Sequence, residues 1–343
     1  ISVSAFLLNR SSDLSFRHRR FRINAIAMSR KSTFYAFIAF VVLAVVFSSC
    51  RKFKGSQTIP AYIHIDTITV NCDYFTYGAN TSKIADAWVY VDDDPIGCYE
   101  LPATFPVLKH GPHKVTIYGG IKRDGISAAR APYPFYKPLV YESLNLVEDS
   151  IINLQPVLTY YPIGEGVEKG WMEDFENANT LLPYGGSDTS IVRINGPEAW
   201  HSANSFYSGK IVLPPDSLDF TVATADDFSF HENYLAYCML EMDYKCNDPF
   251  FVGVMYYKNY QLVKHPLVRI QPTDTVNAIP QRWNKIYINI GPVMNEYVSA
   301  SYFKIYLTSD LSVNPAYGEP DYVHSNKQRY FYYDNLKLFY RPQ

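Results

Sequence analysis

His231-Glu232-Asn233-Tyr234-Leu235 begins like a zinc-protease helix, in which two histidines one turn apart hold the metal and the glutamate acts as base. The second histidine is missing. There is no Gly-x-Ser-x-Gly elbow to present a nucleophile and no glycine-rich loop to cradle phosphate. His110 and His113 flank Gly111-Pro112 and read as turn residues. Asp92-Asp93-Asp94 offers hard oxygen ligands, but Ile96 and the lack of a later Glu break the calcium-loop pattern and favour a solvated turn. Glycoside hydrolysis needs two opposed carboxylates, and the acidic residues here fall mainly near turns. No catalytic residues are expected.

The elements around these residues are strands. Of 343 residues, 30 are Tyr and 21 are Phe, a composition that suits pleated, half-buried surfaces. Runs such as Tyr62-Ile63-His64-Ile65 and Ala87-Trp88-Val89-Tyr90-Val91 alternate with period two, and no amphipathic helix is evident. The expected class is all-β, with two β-sandwich domains spanning residues 61–163 and 164–343. Gly119 to Pro138 is expected to be a long loop, because three glycines and three prolines punctuate it. Lys plus Arg total 31 against 33 Asp plus Glu, so no basic field points to nucleic acid.

Residues 1–49 read as an upstream extension and signal peptide. The start is expected at Met28, and Arg30 and Lys31 precede an apolar run from Phe34 to Phe47. The run ends Ser48-Ser49-Cys50, which resembles the lipobox of bacterial lipoproteins. That resemblance implies acylation of Cys50 and stable anchoring in a membrane through more than one acyl chain, with residues 50–60 as a linker. It places the protein at the outer membrane and leaves open which side it faces. Cys72 with Cys98, and Cys238 with Cys246, permit one disulfide in each domain; Cys238 equally suits a buried thiol.

Val89 to Gly97, Leu101-Pro102-Ala103-Thr104 and Gly111 to Ile117 together resemble a PEGA-type surface module. Trp171 to Glu176, Ser208 to Val212, Leu240 to Tyr244, Trp283 to Ile288, Phe303 to Leu307 and Tyr330 to Leu338 follow the order of the jelly-roll sandwich of carbohydrate-binding modules and galactose-binding-like domains. The second resemblance implies a structural calcium between the first and last strands, for which Glu173, Glu176 and Asp334 match by type. Solvated strand ends are the alternative for those three. It also implies sugar recognition by aromatic faces, with Trp200, Tyr184, Tyr256, Tyr257 and Tyr260 as candidates and Trp200 foremost, because Asn195-Gly196-Pro197 and His201 to Asn204 place it in a loop.

Asp66-Thr67-Ile68, Asp149-Ser150-Ile151, Asp216-Ser217-Leu218 and Asp274-Thr275-Val276 resemble the Bacteroidota O-glycosylation motif, which makes Thr67, Ser150, Ser217 and Thr275 candidate acceptors. Asp-Ser and Asp-Thr also simply favour turns. The expected function is a non-catalytic, lipid-anchored envelope protein that binds glycan through its C-terminal jelly roll. The alternative is an accessory subunit of an outer-membrane protein complex.

Overall fold

The computed structural model describes residues 34, 35, 37–41, 58–187, 189–215, 217, 219–229, 234–258, 260–277, 279–310 and 327–343. The chain divides into two units, Ile1–Thr58 and Ile59–Gln343. Of the first unit, residues 34, 35 and 37–41 are helical; Met28 and Cys50 lie outside the described residues. Among the described residues no helix is long and apolar enough to cross a membrane.

The second unit is all-β and holds two modules. The first contains β1 (Ala61–Ile65), β2 (Thr69–Val70), α1 (Tyr74–Tyr77), β3 (Asp86–Val91), β4 (Asp94–Glu100), β5 (Ala103–Val107), β6 (Gly111–Lys122), β7 (Arg130–Pro132), β8 (Tyr136–Lys137), β9 (Leu139–Leu146), β10 (Ile151–Leu154) and β11 (Val157–Tyr160). Its sheets run β10-β1-β5, β2-β11-β8 and β4-β3-β6-β7, with β9 also on β6. The aspartate run does make a hairpin. Asp92 and Asp93 take φ of 51° and 67° and Val91 pairs with Asp94, a two-residue turn whose twist matches that of the strands. Asp92 accepts from the Lys114 amide and lies 2.9 Å from Lys109 and 2.7 Å from His113.

The expected loop from Gly119 to Pro138 is in part strand. β6 continues through Gly119 and Gly120 to Lys122, and β7 and β8 follow. These glycines serve close packing rather than a turn, since a Cβ on Gly119 would sit 2.7 Å from Leu158 and one on Gly120 2.7 Å from the Trp88 indole nitrogen.

The second module contains β12 (Glu168–Glu173), β13 (Leu181–Pro183), β14 (Val192–Asn195), β15 (Tyr207–Leu213), β16 (Asp219–Thr224), β17 (Leu235–Cys246), β18 (Phe250–Lys258), β19 (Gln261–Ile270), β20 (Asn284–Asn289), α2 (Gly291–Glu296), β21 (Phe303–Asp310) and β22 (Arg329–Pro342). Two antiparallel sheets, β14-β15-β22-β17-β20 with β12 on β22, and β13-β16-β21-β18-β19, enclose one apolar core in a jelly-roll sandwich. First and last strands pair, Glu173 opposite Leu336, so the opening strand is not left as a free edge.

The first sheet buries both faces. Its inner residues, such as Leu240, Met242, Phe331 and Tyr333, fill the sandwich core. Much of its outer face is covered by the first module. Glu241, fully buried, accepts hydrogen bonds from the phenols of Tyr133 and Tyr160, each at 2.8 Å, and meets Lys285 at 2.9 Å. Lys285 donates to Thr81, and Lys337 to the Ala79 carbonyl. Tyr136, Tyr160, Tyr287 and Phe339 pack around this network. All four cysteines of the second unit are free thiols; Cys238 and Cys246 are buried.

Candidate functional site

The five aromatics expected to touch sugar do not form one site. Tyr256 is core, 5% exposed and stacked on Tyr297 at 4.2 Å. Its neighbour Tyr257 points to the opposite face, as strand alternation requires, and lies nearly parallel to Tyr302 at 5.5 Å. Tyr184 packs on the same outer face of the second sheet, against Met255 and Tyr306. Tyr260, 92% exposed, sits at the β18–β19 turn with φ of 63°. Trp200 is far from these in role. It is half-buried in a loop over the outer face of the first sheet, edge-on to Trp283 at 6.1 Å, with its indole N–H shielded from water.

Glu173, Glu176 and Asp334 are not brought together as a metal centre. Glu173 is buried and accepts from the amides of Phe175 and Thr180 and the Thr180 hydroxyl. Glu176 accepts from the amides of Phe206 and Tyr207 through Oε1. Asp334 accepts from the Ser208 hydroxyl and the Asn335 amide. Among the described residues no three His, Cys, Asp or Glu side chains are grouped so that they could hold a metal ion. These carboxylates instead satisfy loop donors, which positions the loops. Of the glycosylation candidates, Thr67 and Thr275 are exposed, while Ser150 and Ser217 are half-buried; Asp216 and Leu218 lie outside the described residues, as do His231 to Asn233.

A cleft of about 330 Å³ opens where the two modules meet, lined by Tyr74, Phe75, Met172, Asp174, Glu176, Asn177, Asn204 and Phe206. From the first module, α1 supplies Tyr74 and Phe75. Asp73 caps this single turn by accepting from the Thr76 amide, and Gly78 ends it at φ of 72° against Lys337 and Met172. Phe75 is thereby held 81% exposed.

From the sandwich, two loops complete the wall. After β12 the chain turns at Phe175, with φ of 57°, and the buried Phe175 ring lies over Gly209, where any Cβ would run into it. Asp174 and Glu176 flank that anchor. Glu176 Oε1 then ties the second loop, whose Phe206 is 51% exposed. The Tyr74 hydroxyl donates to Asp174 across the seam at 3.0 Å, and burial together with the Asp174 carboxylate raises that phenol's pKa, so it stays neutral.

The cleft therefore presents two exposed aromatic faces beside carboxylates and the exposed amides of Asn177 and Asn204. Such a wall stacks on apolar C–H surface and hydrogen-bonds to hydroxyls at its rim. Phe75 and Phe206 were not among the sequence candidates. The readable signal was Asp73 three residues before Thr76 with Gly78 beyond, a one-turn helix that exposes its middle.

No protein-family model matches the chain, and no curated protein matches it. Among solved structures it is similar to a carbohydrate-binding module of the β-sandwich superfamily, at 12% identity over 74% of this chain and 85% of that one, with a TM-score of 0.34. A family 30 carbohydrate-binding module of a Clostridium thermocellum cellulosomal cellulase aligns at 9% identity, covering 49% and 96%, with a TM-score of 0.33. A family 11 module from the same organism, in complex with a mixed-linked tetrasaccharide, aligns at 12% identity, covering 48% and 92%, with a TM-score of 0.31.

Proposed function

We propose that the chain is a non-catalytic glycan-binding protein of the cell envelope, and that the cleft between α1 and the sandwich takes an uncharged sugar. The observation that carries this reading is the pairing of exposed Phe75 and Phe206 with Asp174, Glu176, Asn177 and Asn204 around one recess. A pyranose offers a C–H face to the rings and hydroxyls to the oxygens and amides, whereas an acidic sugar would meet like charge from the two carboxylates. Retention on neutral-glycan affinity gels, lost in Phe75→Ala and Phe206→Ala, tests it. If no neutral glycan binds and Phe75→Ala instead weakens co-purification with envelope proteins, the accessory-subunit reading replaces it.

The envelope part rests on the sequence, where the apolar run ending Ser48-Ser49-Cys50 supports acylation of Cys50. Intact-mass analysis of the mature protein from its native host tests it. An unmodified Cys50 would refute the anchor.

A further inference from the structure

One row of the first sheet's outer face is left by the first module and lies beneath the Trp200 loop. Register makes the row. Lys210 on β15, Tyr332 on β22 and Lys245 on β17 are direct cross-strand partners, and Trp283 lies just before β20. Two ammonium groups thus flank one phenol ring, at 5.2 and 4.5 Å from its centroid, and the Lys245 ammonium also lies 5.1 Å from Trp283.

Their electrostatic situations differ. Lys210 is neutralised by Glu198 at 2.6 Å. Lys245 is 3% exposed as a residue; its ammonium lies over the Tyr332 and Trp283 rings, within reach of the Glu198 charge but hydrogen-bonded to no described residue. On the same outer face, and packed edge-on to the same Trp283, the Trp200 indole carries a buried N–H with no acceptor. Around both stand the half-exposed indoles of Trp200 and Trp283 and the ring of Tyr330.

We propose that this row is a second saccharide site, one that binds an acidic sugar by its carboxylate. The carboxylate would take Lys245 as its charge partner and the Trp200 N–H as a donor, while the C–H face of the sugar ring stacks on the open parts of the half-buried indoles. It differs from the cleft in charge. Asp174 and Glu176 favour a neutral ligand there, whereas Lys210 and Lys245 against Glu198 leave one net positive charge here.

Affinity electrophoresis of the full chain in polygalacturonate and in its fully methyl-esterified form tests the proposal. The acid form should retard the protein and quench tryptophan fluorescence, and esterification should abolish both. Lys245→Met should weaken retardation at least tenfold, and Phe75→Ala, which removes the neutral-glycan cleft, should leave it unchanged. No retardation by the acid polymer, equal retardation by the ester, or an unaffected Lys245→Met would overturn the proposal. Trp200→Phe, which keeps the ring and removes the donor, supplies the same test should Lys245→Met fail to fold.

Discussion

Glu241 and Lys285 form an ion pair of 2.9 Å where neither side chain is more than 4% exposed, at the seam between the two modules. Tyr133 and Tyr160 from the first module complete the carboxylate's shell. Removing Glu241 leaves the buried Lys285 with only the longer contact to Asp243, 3.7 Å away, and strips two phenols of their acceptor, so Glu241→Ala should cost about 3–5 kcal/mol, read by urea unfolding. A loss below 1 kcal/mol would mean that water reaches the seam.

The same pair sets a pH dependence. Burial alone would raise the Glu241 pKa, but the ammonium groups of Lys285 and Lys337 and the hydrogen bonds outweigh it and hold the carboxyl below its ordinary value. A depressed folded pKa gives stability that is present above the unfolded value, about 4.5, and lost as pH falls through the folded one. Asp243 and Asp334 are shifted the other way, chiefly by burial, so the total curve mixes signs. The difference between wild type and Glu241→Gln isolates Glu241. It should be constant from pH 7 to about 5 and shrink below 4.5; a gap that widens on acidification would contradict the assignment.

Trp200 is held to the sheet by its amide, which donates to the Ser208 hydroxyl at 2.8 Å, and that hydroxyl donates to Asp334 at 2.6 Å. Ser208→Ala should orphan the Asp334 oxygen and free the loop, at a cost of about 1–3 kcal/mol and with a red shift of tryptophan emission. An unchanged spectrum would show that ring packing on Trp283 suffices to hold it.

The thiols are graded by burial. Cys98 is exposed and should react with maleimide in the native protein, whereas burial pushes the Cys246 thiol up to about 12 and that of Cys238 higher still. Labelling of Cys238 and Cys246 should follow only after unfolding. Mass spectrometry without reductant that finds either pair oxidised would contradict free thiols.

Local alternation made much of the sheet structure legible, and Asn195-Gly196-Pro197 rightly put Trp200 in a loop. What the sequence hid depends on partners distant along the chain. Gly119 and Gly120 looked like breakers because the side chains that fill their space, Leu158 and Trp88, lie elsewhere in the chain. Tyr256 and Tyr257 were both candidates for sugar contact, yet adjacent strand residues face opposite ways, which alternation could have shown. Glu173, Glu176 and Asp334 had the right type for calcium, but their oxygens face amides and hydroxyls of folded loops that no spacing rule exposes. The cleft joins Phe75 to Phe206 across two modules, so only tertiary structure reveals it.

Calorimetric titration of the full chain with the neutral oligosaccharide best retained on affinity gels measures directly whether the module seam holds a neutral-sugar cleft. Phe75 and Phe206 are largely exposed, so their removal should leave thermal stability within about 0.5 kcal/mol of wild type. Phe75→Ala and Phe206→Ala should each weaken binding at least tenfold, about 1.4 kcal/mol, while Tyr260→Ala should have no effect. Full affinity in the Phe75→Ala, Phe206→Ala double variant would contradict the neutral-sugar cleft.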